Sequence, residues 1–445
     1  MCLLQNSLRA DEAEGERVPK NLKRIAPPTF PARNFVITDY GAVADGKTDC
    51  TKAIQRALDA GKGSGGTVIF PAGTYLSKPL TIRAGTTMQL DAGATLLAST
   101  NQMDFMKVPG DWLAAKSGSD FIPFIGGKNL TNVTFTGGGV IDGNGAAWWG
   151  EAEKARQKVS GYTLPRPNLI VIERTTNLRM ENITLQNSPK FHFVPTECEG
   201  VVISNVTVLA PERAANTDAI DPSNCRNVLI TRCKIDVGDD NIAIKAGKPV
   251  DGREFACEDI LVTDCTFVHG HGMSIGSETA GGVRNVTVKN CTFANTENGI
   301  RIKSQRGKGG LVENIICDGI TMSNVNPAIT LTCFYANNSS GDAAQPAAAA
   351  GALDEAMKVS EKIPTFRNIR ISNLTATCPK AAGLILGLPE SCISDVVLKN
   401  VKISAGKGFT IANARGIRLE NVAVTVTGGK PFDLKNAEVE GLKPD

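Results

Sequence analysis

Three acidic residues, an imidazole, two cations and a phenol recur along this chain at nearly even intervals. Asn216-Thr217-Asp218 is followed by Gly238-Asp239-Asp240, then by Gly270-His271-Gly272, then by Arg301-Ile302-Lys303 and finally by Tyr335. Each fragment alone is ordinary. Gly-Asp-Asp is commonly a turn whose carboxylate bonds its own backbone, and Arg-x-Lys on a strand is commonly a solvated face. Together they fit acid/base chemistry. One carboxylic acid can protonate a departing oxygen while another carboxylate activates water, the division of labour of glycoside hydrolysis. A carboxylate crowded by others and partly desolvated is expected to keep its proton to higher pH. Arg301 and Lys303 supply counter-charge and natural partners for an anionic substrate.

Such residues work only if the fold stacks them, and the repeat predicts that it does. A phrase of Asn/Asp/Gly, apolar-x-apolar, a polar pair and apolar-x-apolar begins at Asn132, Asn177, Gly200, Asn227, Asp259, Asn285, Asn314, Asn368, Asp395 and Gly416. Most of these starts are evenly spaced, and the steps from Asn132 to Asn177 and from Asn314 to Asn368 are about twice as long as the others. The motifs from Asp218 to Tyr335 follow the same shorter spacing. Period-two alternation rich in β-branched residues indicates strands, and self-similarity at this period indicates a solenoid. No helical pattern separates the copies, which disfavours βαβ units. The expected fold is all-β, a single-domain parallel β-helix over residues 31–445, with coils stacked about 4.8 Å apart. Residues one coil apart become vertical neighbours, so the polar set should line one face. The two long steps fit either two coils or one coil with an insert. Cys233, Cys265 and Cys291 share one inward register and read as buried free thiols acting as small hydrophobes.

The remaining segments fit this plan. Residues 48–61 predict a short N-terminal capping helix: Thr48 or Asp49 can cap it, Cys50, Ala53, Ile54, Ala57 and Leu58 form its apolar face, and Gly61 ends it. Departures from the repeat near 100–122, 144–166 and 336–363 predict inserts that wall a cleft, the first two carrying Trp112, Trp148 and Trp149. Residues 1–30 read as an extension, disordered or partly docked.

Composition narrows the function. A net charge of +3 with no Lys/Arg run argues against nucleic acid as partner. No apolar run is long enough to predict a membrane span. Forty-five glycines against 16 Phe, 4 Tyr and 3 Trp suit a chain that turns often. Twelve cysteines make export plausible and show no zinc-like spacing; neither a metal nor another cofactor is expected. The segment 1–30 lacks a signal-peptide core, yet a secreted or periplasmic monomer is the expectation.

Several phrases carry a resemblance. DYGAVADGKTD, GGTVIFPAGTYL, ITLQNSP, NTDAIDPSNC, VGDDNIAIKAG, GHGMSIGSE and NGIRIKS, with Tyr335 in PAITLTCFY, resemble the family-28 glycoside hydrolases, the polygalacturonases, over roughly residues 35–425. The resemblance implies a right-handed parallel β-helix and inverting hydrolysis of α-1,4 bonds between galacturonic acid residues of pectin, with endo action favoured over exo. It implies Asp239 as general acid, Asp218 and Asp240 holding and activating water, and His271 supporting the acid. It also implies that Arg301 and Lys303 bind substrate carboxylates and that Tyr335 orients the sugar. Asn216, Asp221 and Asn224 are further substrate-binding candidates. An inverting pair should stand about 6.5–9.5 Å apart, as Asp239 against Asp218 or Asp240. The chain departs from the family at Ala219, commonly Gly, and near Lys190, where a large aromatic is frequent. The rival readings are a Ca²⁺-dependent pectate lyase on the same solenoid and a carbohydrate-binding solenoid without catalysis.

Overall fold

The computed structural model describes residue 22 and residues 25–27, 33–158, 164–248, 256–335 and 355–442. The repeated phrase is a rung of a right-handed parallel β-helix. Thr131–Thr136, Thr176–Glu181, Glu199–Ser204, Arg226–Thr231, Cys257–Thr263 and Val283–Lys289 pair in parallel, each with the equivalent strand of the next coil. The Asn/Asp/Gly that opens each copy has a conformational cause. All ten sit at positive φ, from 51° at Asn368 to 73° at Gly200, the left-handed region that Gly, Asn and Asp enter most readily. Their amides also stack: Asn177 Nδ2 donates to Asn132 Oδ1 at 2.8 Å, and Asn314 Nδ2 to Asn285 Oδ1 at 3.0 Å.

Inward positions form ladders. Leu178, Val201, Val228, Ile260, Val286, Ile315 and Ile369 follow one another in register and are buried. Full burial of each such side chain contributes about 1.5–3 kcal/mol relative to exposure. Cys233, Cys265 and Cys291 occupy one such register, and all three are buried free thiols. Both long steps are single coils with inserts, because Thr176 pairs directly with Thr131 and Arg367 with Glu313.

The helix Thr51–Ala60 follows the pattern read from its sequence: Ala53, Ile54, Ala57 and Leu58 are buried. Neither expected residue is the N-cap: Cys50 holds that position without a side-chain cap bond, Asp49 before it accepts from the Thr51 amide at 2.9 Å, and the Thr48 hydroxyl is turned to Asp45 Oδ2 at 2.7 Å. Gly61 follows the last helical residue in right-handed conformation, and the first positive φ after the helix falls on Gly63.

The first two inserts pack on each other. Trp148, on the helix Ala146–Lys158, is fully buried and edge-on to Trp112, Phe105 and Phe121, with centroids 5.0, 5.7 and 5.9 Å away. Gln102 Nε2 ties the pair by donating to the Ala147 carbonyl at 2.9 Å. Most of the Ala-rich insert, 336–354, and most of the segment 1–30 lie outside the described residues. Of the extension, Ile25 rests against Gly200, and its carbonyl accepts from Arg179 Nη1 at 3.3 Å.

Candidate active site

One ladder positions the polar cluster. It runs Phe193–Thr196, Ile220, Ile242–Ile244, Met273–Ile275, Ile300–Lys303 and Ile329–Thr332, in register from Phe193 through Ile220, Ile242, Met273 and Ile300 to Ile329. Asp218, Asp240 and His271 each precede their rung's first residue by two, so they occupy equivalent turns of three successive coils. Asp239 stands one residue earlier. Arg301 and Lys303 lie on a strand and point back across the face: both reach Asp240, two coils away, and Arg301 also bonds Ser274 on the adjacent coil. Equal spacing therefore brings the groups to one face, but the contacts run diagonally.

Asp240 is held tightest. Its Oδ1 accepts from Arg301 Nη2 and, at 2.9 Å, from Ser274 Oγ; its Oδ2 accepts from Lys303 Nζ at 2.8 Å. Arg301 Nε also donates to Ser274 Oγ at 2.9 Å. Burial would raise the Asp240 pKa, but Arg301 and Lys303 outweigh it and hold it at about 2. Tyr335 lies beside this corner, with Lys303 Nζ 5.0 Å from its ring centroid.

Asp239 faces His271. Its Oδ1 is 3.1 Å from His271 Nδ1, its Oδ2 accepts from the Asn216 amide at 3.1 Å, and Glu297 Oε2 stands 3.0 Å from His271 Nε2. Burial opposes a charge on the imidazole, yet Asp239 and Glu297 together raise its pKa to about 10. Burial likewise opposes charge on Asp239, but His271, Lys303 and Arg301 drive it below the ordinary carboxylate range. The glycines around His271 are obligatory. At Gly270, with φ 96°, an added Cβ would meet the Asp239 carbonyl oxygen at 2.3 Å, and at Gly272, with φ 74°, the Asn298 carbonyl oxygen at 2.1 Å.

Asp218 behaves differently. Burial, then Asp221 and Asp239, raise its pKa well above the ordinary value against the pull of Lys245. Burial raises Asp221 to about 6, with Lys245 opposing. Lys245 Nζ bridges the two, 2.5 Å from Asp221 Oδ2 and 3.3 Å from Asp218 Oδ2. The other oxygen of each carboxylate is buried without a hydrogen-bond partner. The crowding that the sequence predicts for the acid Asp239 thus acts on Asp218, because the cations gather around Asp239 and Asp240. The nearest oxygens of Asp239 and Asp240 lie within 4.8 Å, shorter than the spacing expected of an inverting pair.

Asn224 adjoins the Lys245 end of this cluster, its backbone amide donating to the Lys245 carbonyl at 2.9 Å. At φ 51° its amide clamps a turn, Oδ1 accepting from the Gly247 amide at 3.0 Å. Three contributors were not singled out from the sequence. Lys245 directly follows the strand Ile242–Ile244 as Lys303 follows Ile-Arg-Ile in sequence, and that parallel was the available signal. Buried Arg166 donates to the carbonyls of Pro189 at 2.7 Å and Ala215 at 2.8 Å, and its Nη2 lies 3.3 Å from Asn216 Oδ1, fixing the Asn-Thr-Asp turn. Glu297 buttresses His271. No periodic signal marks these last two.

Asp239, Asp240 and His271 could in principle ligate a cation. The donor set argues otherwise, since both oxygens of Asp240 are engaged by cationic side chains that a dication would have to displace.

Residues 64–425 match the family described as Glycosyl hydrolases family 28. The chain is 33% identical to an endo-polygalacturonase of Pectobacterium carotovorum subsp. carotovorum over 83% of its own length and 88% of that protein's. It is 29% identical to the polygalacturonase of Erwinia carotovora ssp. carotovora, with a TM-score of 0.71, covering 94% of this chain and 99% of that one. A hyperthermoactive exopolygalacturonase from Thermotoga maritima is 26% identical with a TM-score of 0.72, covering 90% and 94%.

Proposed function

We propose that this chain, which belongs to glycosyl hydrolases family 28, is a polygalacturonase that hydrolyses α-1,4 bonds between galacturonic acid residues by direct attack of water. The observation that carries the reading is the cluster itself: Asp218, Asp239, Asp240 and His271 on one face, with Arg301 and Lys303 beside them. In this reading the C1–O4 bond breaks, the departing O4 takes a proton from Asp239, and water attacks C1 while Asp218 or Asp240 accepts its proton. In the protein alone the proton shared by His271 and Asp239 rests on the imidazole. Substrate carboxylates arriving at Arg301 and Lys303 offset the positive charge that depresses Asp239. They move that shared proton toward the carboxylate, so His271 and Asp239 act as one acid. Tyr335 orients the sugar, while Asn216, Asp221 and Asn224 shape its surroundings.

One observation favours a second reading. Asp218 is the carboxyl that burial and like charge keep protonated, as a general acid requires. The roles of Asp218 and Asp239 would then be exchanged. Oligogalacturonides bearing an aryl leaving group separate the two, since a good leaving group bypasses the acid. Asp239→Asn should lose turnover of polygalacturonate and regain it on the aryl substrate; recovery by Asp218→Asn instead would establish the exchanged roles. Undiminished polygalacturonate turnover in both variants would refute the assignment.

Hydrolysis yields saturated reducing ends and is indifferent to chelator, whereas a calcium-dependent lyase yields unsaturated products absorbing in the ultraviolet and stops on chelation. Endo action is favoured by the 33% identical endo-acting relative, and a ladder of oligomers from polygalacturonate, rather than monomer alone, is the expected product. A polymeric substrate of this size also favours action outside the cytoplasm.

A further inference from the structure

Lys190 is a charged group for which the chemistry above has no use. It precedes Phe193 by three positions, as Asp239 precedes Ile242, and the register Phe193–Ile220–Ile242 places it two coils from Asp239. Arg301 and Lys303 lie two coils from Asp239 in the opposite direction. The Lys190 ammonium sits 4.4 Å from the centroid of Phe191, over which Lys245 Nζ also lies, at 4.2 Å. The turn at Gly118, in the insert 100–122, stands beside it, and a Cβ there would be 3.8 Å from Nζ. The segment is fixed at both ends: Arg166 holds the Pro189 carbonyl, and the His192 amide donates to the Asp218 carbonyl at 2.8 Å.

Among the described residues no carboxylate lies within ion-pair distance of Lys190. Burial lowers its pKa, and Asp218 only partly opposes this. A desolvated ammonium with no anion of its own, on the cleft face and braced by an insert, is costly unless something anionic arrives.

We propose that Lys190 is a carboxylate-binding subsite for the galacturonan chain, on the side of the cleavage point away from Arg301 and Lys303. A polysaccharide lying along the solenoid axis then meets an ammonium or guanidinium on each side of Asp239. The site rests on the polygalacturonase reading. It makes one binding contact that does not change during bond breaking, so its loss weakens binding and leaves the chemical step intact.

The test compares wild type, Lys190→Met and Lys190→Arg on polygalacturonate and on partly methyl-esterified galacturonan. Methionine keeps the apolar stem against Phe191 and removes the charge. Loss of one charge-assisted contact predicts a rise in KM of roughly tenfold or more for Lys190→Met, with kcat changed far less and KM near wild type in Lys190→Arg. Lys190→Met should also discriminate less between free and esterified substrate. An unchanged KM in Lys190→Met, or a fall in kcat and thermal midpoint that arginine does not rescue, overturns the subsite. If wild type fails to cleave polygalacturonate at all, the functional reading beneath it fails too, an outcome distinct from an active wild type with an indifferent variant.

Discussion

His271 Nδ1 lies 3.1 Å from Asp239 Oδ1, and the imidazole keeps the shared proton because Asp239 and Glu297 flank its two nitrogens. With its pKa raised to about 10, His271 stays charged across neutral pH. Activity that needs this proton should hold level above neutrality and fall as pH rises through about 10. Glu297→Gln removes one of the groups that raise His271, so the alkaline limb should move to lower pH with kcat near neutrality largely kept. A pH–rate profile whose alkaline limb stays in place would deny Glu297 its part. The stability sign is the same. Between the ordinary 6.5 and about 10 the folded protein binds a proton that the unfolded chain has lost, so this contribution is complete below 6.5 and disappears as pH rises through the folded value.

Lys245 offsets two buried carboxylates, and removing it leaves both without a counter-ion. Breaking a buried pair from one side typically costs about 3–5 kcal/mol. Lys245→Met should therefore lower the thermal midpoint, and by more at pH 7.5 than at pH 5. Asp221 has its pKa raised to about 6, so stability falls as pH rises from the ordinary 3.8 to that value, and above it the ionised form burdens the fold in full. Without Lys245 that burden grows. Equal destabilisation at the two pH values would mean that the lysine acts by packing alone.

How much of this was legible follows from how a solenoid encodes position. Asn132, Asn177 and their successors announce each coil because a left-handed turn restricts residue type, so the β-helix, its register and the shared face of Asp218, Asp240 and His271 can be read from the chain. The axial distance between two residues cannot be read from their number, since a coil that leaves for an insert, as between Glu313 and Arg367, still advances one rung. Side-chain reach is invisible too. Arg301 and Lys303 cross two coils to Asp240, and that choice moves positive charge away from Asp218 and reverses the protonation expected of Asp239. Arg166 and Glu297 belong to no periodic position and emerge only from the folded geometry.

Gly272 sets the place of His271. A side chain there would stand 2.1 Å from the Asn298 carbonyl oxygen at a φ of 74°, so the backbone must shift and carry the imidazole with it. Misplacement on the order of 1 Å in a catalytic constellation costs roughly 100-fold in rate. Gly272→Ala should lose activity on that scale while keeping the sheet signature in circular dichroism. Gly150, with nothing within 4 Å of an added Cβ, is the control and should tolerate alanine. Near-wild-type activity in Gly272→Ala would mean that His271 need not be held where it stands.

Trp148 packs two inserts together. It is fully buried among Phe105, Trp112 and Phe121, all contributed by the inserts, and this packing is continuous with the core that holds ladders such as Val201, Val228 and Ile260. Truncating a buried aromatic to alanine typically costs about 3–5 kcal/mol, but here the loss falls on contacts between the inserts rather than between coils. Trp148→Ala should therefore open the inserts locally. Limited proteolysis should cut within 100–122 or 144–158 while the remaining coils resist, and KM for polygalacturonate should rise because Gly118, on the first insert, stands beside Lys190. If the whole chain instead becomes uniformly sensitive and unfolds in one earlier transition, the inserts are part of the solenoid's cooperative unit and not a wall added to it.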